Sequence, residues 1–127
     1  MMVGLFLSGL IIHGGFQGWW IQILVGNLGY GAMLLAGTIL TAFNENATVA
    51  YLSCLLNGIT PQLKYALTAG LVAGGGLTII AHAPNPVGWA LLRKYFSKGI
   101  SPWHVFISAL GPTLIFLAIF YLYGKLI

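Results

Sequence analysis

Phe43-Asn44-Glu45-Asn46-Ala47-Thr48 holds the only acidic side chain of a 127-residue chain, set between two apolar stretches. Upstream, Tyr30 to Phe43 is an arm of 14 residues; downstream, Ala47 to Asn57 is an arm of 11. Each falls short of the roughly 20 residues that carry a helix across the hydrocarbon core of a bilayer. The pair therefore predicts a re-entrant hairpin over 30–57 with Asn44, Glu45 and Asn46 at its tip; the competing reading is a solvated loop between two short spanning helices. A carboxylate at membrane depth is costly and marks an ion or proton path. Asn46 is expected to cap the second arm. Carbonyls ending the first arm near Phe43, with the side chains of Asn44 and Glu45, would supply the hard oxygens that a sodium ion takes. The Asn46-Ala47-Thr48 glycosylation pattern has little weight in a buried tip.

Composition places these arms in lipid. The chain is 59% hydrophobic and 5% charged, with a mean hydropathy of +0.96, too little polar surface to coat a water-facing globule. Five Lys and Arg against one acid give a formal charge of +4. In a membrane protein that surplus reports loop topology, and no nucleic-acid function is read from it. Cys54 is alone, which excludes a disulfide within the chain and a thiolate metal site. No H-E-x-x-H spacing is present, and the hydroxyl residues lack a paired base and acid, so no enzyme and no cofactor are expected.

Residues 2–13 read as a first apolar helix without the basic flank of a signal peptide. It is short for a full span, and the chain is expected to be part of a larger architecture. Residues 16–29, with Trp19-Trp20 and several glycines, suit the headgroup interface. Residues 64–96 form an apolar run of 33 residues, about 50 Å long as one helix against a core of about 30 Å. It must tilt steeply or break. The break signals are Gly74-Gly75-Gly76 and Ala83-Pro84-Asn85-Pro86. Asn85 as a cap followed by Pro86 predicts a new half-helix starting at Pro86; a plain proline kink is the other reading. Residues 101–124 form the final helix, with Pro102 just inside its start and Pro112 as a kink.

Ala66, Gly70 and Gly74 recur every four residues, a small-residue stripe that admits a second helix closely. Arg93, Lys94 and Lys98 fall on the side of the amino terminus and Lys64 and Lys125 on the other, which favours an inside amino terminus. His13 and His104 lie near helix ends, where an amphipathic ring sits at the interface. His82 lies in the break itself, either as a titratable partner of Glu45 or as a hydrogen-bonding filler for freed carbonyls.

Thr41-Ala42-Phe43-Asn44-Glu45-Asn46-Ala47, with Gly74-Gly75-Gly76-Leu77-Thr78 and Ala83-Pro84-Asn85-Pro86, resembles the ion transporter superfamily of arsenite permeases, dicarboxylate symporters and sodium/proton antiporters. More narrowly, essentially the whole chain looks like the second half of a bacterial family of sodium/proton antiporters. That resemblance implies an all-α transmembrane fold, one half of an inverted-repeat transporter, in which a re-entrant hairpin and a discontinuous helix meet near the midplane. It implies a multi-pass protein of the bacterial inner membrane and secondary active transport of a small ion, with sodium and protons as the expected partners.

Glu45 would alternate between proton and sodium, with Asn44, Asn46, Thr78 and Asn85 as neutral ligands and His82 beside them. Glu45 stands where the family pattern has Asp and His82 where it has Asn, which leaves the transported species open. A missing first repeat, or a second copy of the chain, would complete the transporter. Two other functions remain open: transport of a small anion held at the two half-helix amino ends, and a noncatalytic membrane subunit packing through Ala66, Gly70 and Gly74.

Overall fold

The computed structural model describes residues 2–25, 27–97 and 99–126. Those residues are helical with no strand: α1 (Met2–Gly15), α2 (Gly18–Val25), α3 (Tyr30–Phe43), α4 (Asn46–Cys54), α5 (Pro61–Gly74), α6 (Pro84–Leu92), a 3-10 turn (Arg93–Tyr95) and α7 (Pro102–Gly124). Lys98, used above to orient the chain, lies outside the described residues.

Capping chemistry moves several boundaries from their expected places. The long apolar run starts at Pro61 rather than Lys64, because Thr60 accepts from the Leu63 N–H at 3.3 Å and Pro61 fills the first helical position. The helix stops at Gly74, and residues 75–83 are turns and bends. It resumes at Pro84, not Pro86, with Ala83 as a cap that makes no side-chain bond. A proline is as well suited to that first position as the one two residues on. The stretch 47–57, expected as a second arm, holds the shorter α4, which ends at Cys54, and Asn57 is taken instead by Gln22 of α2. That side chain accepts from the Asn57 N–H at 2.9 Å and donates to the Asn57 carbonyl at 3.1 Å.

The core lies between α3 and α5. Met33, Leu34, Ala66, Leu67 and Ala69 are buried there, with Ile21 of α2 and Leu56 packed alongside. Close approach depends on glycine. A Cβ on Gly70 would collide with the Leu34 carbonyl, and one on Gly74 would lie 2.6 Å from the Thr38 carbonyl. The stripe Ala66, Gly70, Gly74 thus receives a helix of this same chain. At that contact the Thr38 hydroxyl lies 3.0 Å from the Leu34 carbonyl and 3.1 Å from that of Gly70, sharing one proton between two helices.

The remaining helices dock on this pair by few contacts. α7 is held to α5 by the Thr113 hydroxyl on the Ala73 carbonyl at 3.4 Å, and to α3 by the Tyr30 hydroxyl on the Phe120 carbonyl at 2.9 Å. α1 meets α4 where the Tyr51 ring fills the space that a Cβ on Gly14 would need, its hydroxyl 3.3 Å from the Ile11 carbonyl. Only Thr113 of α7 is buried, and no residue of α6 is. Leu91, Ile115, Ile119 and Leu122 are therefore exposed on an apolar exterior that water would not tolerate as a continuous surface. Among the described residues, α7 is the one helix long and apolar enough to cross a bilayer unaided.

Candidate functional site

The end of α3 and the start of α4 are separated by Asn44 and Glu45 alone, and the gap between α5 and α6 runs over residues 75–83. These two interruptions touch. The Thr78 hydroxyl donates to the Ala42 carbonyl at 2.7 Å, and the Asn46 N–H donates to the Ala81 carbonyl at 3.0 Å. Helix ends leave backbone groups without partners, and here each break satisfies groups that the other has freed.

Each side chain has a definite task. Thr78 also accepts from the Ala81 N–H at 3.1 Å, which folds the segment back on itself. The Asn85 amide nitrogen donates to the carbonyls of Gly75 and Thr78, both at 2.9 Å, so the first turn of α6 is tied to the end of α5. Glu45, rather than Asn46, caps α4: its carboxylate accepts from the Thr48 N–H at 3.1 Å. The backbone of Asn46 has already turned helical, and its side-chain oxygen faces the Thr41 hydroxyl at 3.5 Å.

Of the residues expected at the site, the structure brings together Asn46, Thr78 and Asn85, with half-buried Glu45 as the immediate chain neighbour of Asn46. Asn44 is not among them. It is exposed, and its amide nitrogen returns to the Leu40 carbonyl at 3.1 Å, closing α3. The His82 side chain is likewise exposed; its carbonyl accepts from the Asn85 N–H at 2.9 Å, and among the described residues its ring makes no hydrogen bond. Neither role expected for that ring, as partner of Glu45 or filler for freed carbonyls, is seen.

Thr41 was missed. It is fully buried, and its hydroxyl is among the groups lining the tip. The available signal was the spacing of Leu34, Thr38 and Thr41, which places them on one face of α3.

A cavity of about 310 Å³ opens beside Thr78 and Asn85, with Gly76, Gly88, Trp89 and Ile100 among its other walls. The junction of the two interruptions is rich in neutral oxygen, with carbonyls at Ala42, Gly75, Thr78 and Ala81, hydroxyls at Thr41 and Thr78, and the amides of Asn46 and Asn85; of these residues Thr78 and Asn85 line the cavity. A carbonyl has two lone pairs, so one that accepts a hydrogen bond can still face a cation. Donors for an anion are scarce at α6. Pro84 and Pro86 carry no N–H, and that of Asn85 is spent on His82. No cluster of metal-ligating His, Cys, Asp or Glu side chains occurs among the described residues.

Short apolar helices, an apolar exterior and two polar interruptions in contact are the features of a helical membrane protein. The family model described as "Putative Na+/H+ antiporter" matches residues 1–123, and the chain belongs to that family. No curated protein and no solved structure matches it.

Proposed function

We propose that the chain performs sodium/proton antiport, with Glu45 alternating between holding a proton and helping to bind sodium. The observation that carries this reading is the junction of the two helix breaks through Thr78 to Ala42 and Asn46 to Ala81, one residue from the only carboxylate. Asn46, Thr78 and Asn85, with neighbouring carbonyls, supply neutral oxygens; Glu45 supplies the charge that makes binding depend on protonation. Sodium and protons then compete for one group.

In this reading α3 and α4 form a re-entrant hairpin, and α5 and α6 are one discontinuous membrane helix. The chain is then a multi-pass half of an inverted-repeat transporter in the bacterial inner membrane. A first repeat or a second copy would cover the apolar exterior of α6 and α7. The anion alternative is disfavoured by Pro84 and Pro86, which strip donors from the amino end of α6.

The test uses the complete transporter in proteoliposomes, following labelled sodium and internal pH together. Glu45→Gln is expected to abolish sodium-dependent proton movement. Unchanged exchange in that variant eliminates the role assigned to Glu45.

A further inference from the structure

We infer that the cytoplasm-facing or periplasm-facing water reaches the Thr78–Asn85 break along one face of α7, and that Ser108 is an oxygen step on that path; the inference rests on the transport reading above. A second cavity, of about 660 Å³, lies against the first turns of α7, lined by Phe96, Ser101, His104 and Ser108 among others. Ile100 and Val105 wall both this cavity and the one beside Thr78 and Asn85, so the two adjoin. Ser101, His104, Val105 and Ser108 follow the three-and-four spacing of a single helix face. The polar side chains of α7's first turns are thereby collected on one face, which Ile115, Ile119 and Leu122 continue beyond Pro112 as exposed apolar residues.

Pro112 supplies the second, independent observation. It sits inside α7 and has no N–H, so the carbonyl four residues earlier, that of Ser108, lacks its usual helical donor. In hydrocarbon a freed carbonyl is expensive; beside a wet cavity it is satisfied by water or by a cation shedding water. The Ser108 hydroxyl is exposed and makes no hydrogen bond among the described residues. Ser108, which lines the cavity, therefore carries two oxygens, its hydroxyl and this carbonyl, without the partners a regular helix would give them. The next residue but four, Thr113, is the point where α7 meets α5 at Ala73, directly before the break at Gly74. The occupant that suits a face of hydroxyls and a freed carbonyl, without a carboxylate, is a partly hydrated monovalent cation in transit.

The path is tested by thiol accessibility in the complete transporter, in a Cys54→Ser background that removes the one native thiol. Ser108→Cys and Ala109→Cys lie on the cavity wall; Ile115→Cys lies on the exposed apolar surface. A water-soluble, positively charged methanethiosulfonate reagent should modify the wall positions about tenfold faster or more than Ile115→Cys, because the reacting thiolate forms only where water reaches it. Modification at Ser108→Cys should also slow sodium flux. Equally slow labelling at all three positions, with each thiol reactive after denaturation, overturns the path. Labelling does not require transport, so a chain that labels at Ser108→Cys but exchanges no sodium for protons keeps the path and loses the antiport reading.

Discussion

The Asn46 N–H donates to the Ala81 carbonyl at 3.0 Å, joining the first residue of α4 to the non-helical segment between α5 and α6. With the Thr78 hydroxyl on the Ala42 carbonyl, this makes the two breaks one unit, so a displacement of either is carried to the other.

Thr78→Val removes the donor to Ala42 and the acceptor for the Ala81 N–H while keeping the side chain's shape. Interhelical polar contacts in membrane proteins average about 0.6 kcal/mol and reach about 1.7, and the stranded Ala42 carbonyl adds a desolvation cost. A loss of about 1–2 kcal/mol is expected in reversible unfolding from mixed micelles. Thr78→Ser, which keeps both bonds, should stay near wild type. A valine variant as stable as the parent would show that the junction contributes nothing.

Gly70→Ala sets two effects against each other. Alanine in a helix interior gains about 0.5–1 kcal/mol over glycine, but here its Cβ enters the Leu34 carbonyl, which is backbone and cannot step aside. Forcing α3 from α5 costs about 1–3 kcal/mol, so the variant should be less stable than the parent. Gly76→Ala, with open space around the added atom, should change little. Thermal unfolding of both in detergent decides it.

Much of this arrangement was legible from residue types. Gly74-Gly75-Gly76 and Ala83-Pro84-Asn85-Pro86 mark the break because glycine and proline act on the local backbone, and local rules are readable in a string of letters. The same holds for the end of α3 at Phe43 and the start of α7 at Pro102. What failed was the assignment of polar side chains. Asn46 and Asn85 both looked like caps, yet Glu45 caps α4 through the Thr48 N–H, and the Asn85 amide turns back to the Gly75 and Thr78 carbonyls, which the fold of residues 75–83 brings to it. Thr41 went unnoticed for the same reason, its role depending on Asn46 across the tip. His82 was promoted by its position in the break, but the direction of an exposed ring is set by packing.

Glu45 performs two tasks that substitution can separate. As a cap it needs only an oxygen facing the Thr48 N–H, 3.1 Å away. Glutamine provides that oxygen, so Glu45→Gln should remain within about 1 kcal/mol of the parent, the residual loss being that of a negative charge at a helix amino end. Glu45→Ala removes the cap and should cost about 0.5–2 kcal/mol. The proposed ion chemistry needs the charge itself, so both variants should lose sodium-dependent proton movement. Loss of exchange tracking stability across the two variants, with glutamine active, would reduce Glu45 to a structural cap.

Asn85→Asp is the sharper probe of the second break, because it changes hydrogen-bond polarity at constant shape. The Asn85 nitrogen sits 2.9 Å from two carbonyl oxygens, a position that only a donor can fill. An ionised aspartate there would place a negative oxygen against both; a protonated one would supply one proton where two bonds are now made. Asn85→Ala merely leaves the carbonyls without a side-chain donor, and the adjoining cavity gives water room to reach Thr78. The near-isosteric aspartate should therefore destabilise more than the truncation, by about 1 kcal/mol or more at neutral pH, and the difference should shrink in acid as the carboxyl takes up its proton. Paired unfolding measurements at neutral and acidic pH follow both signs. Equal stability of the two variants at neutral pH would mean that the Asn85 amide does not face the Gly75 and Thr78 carbonyls, and the tie between α5 and α6 would have to be sought elsewhere.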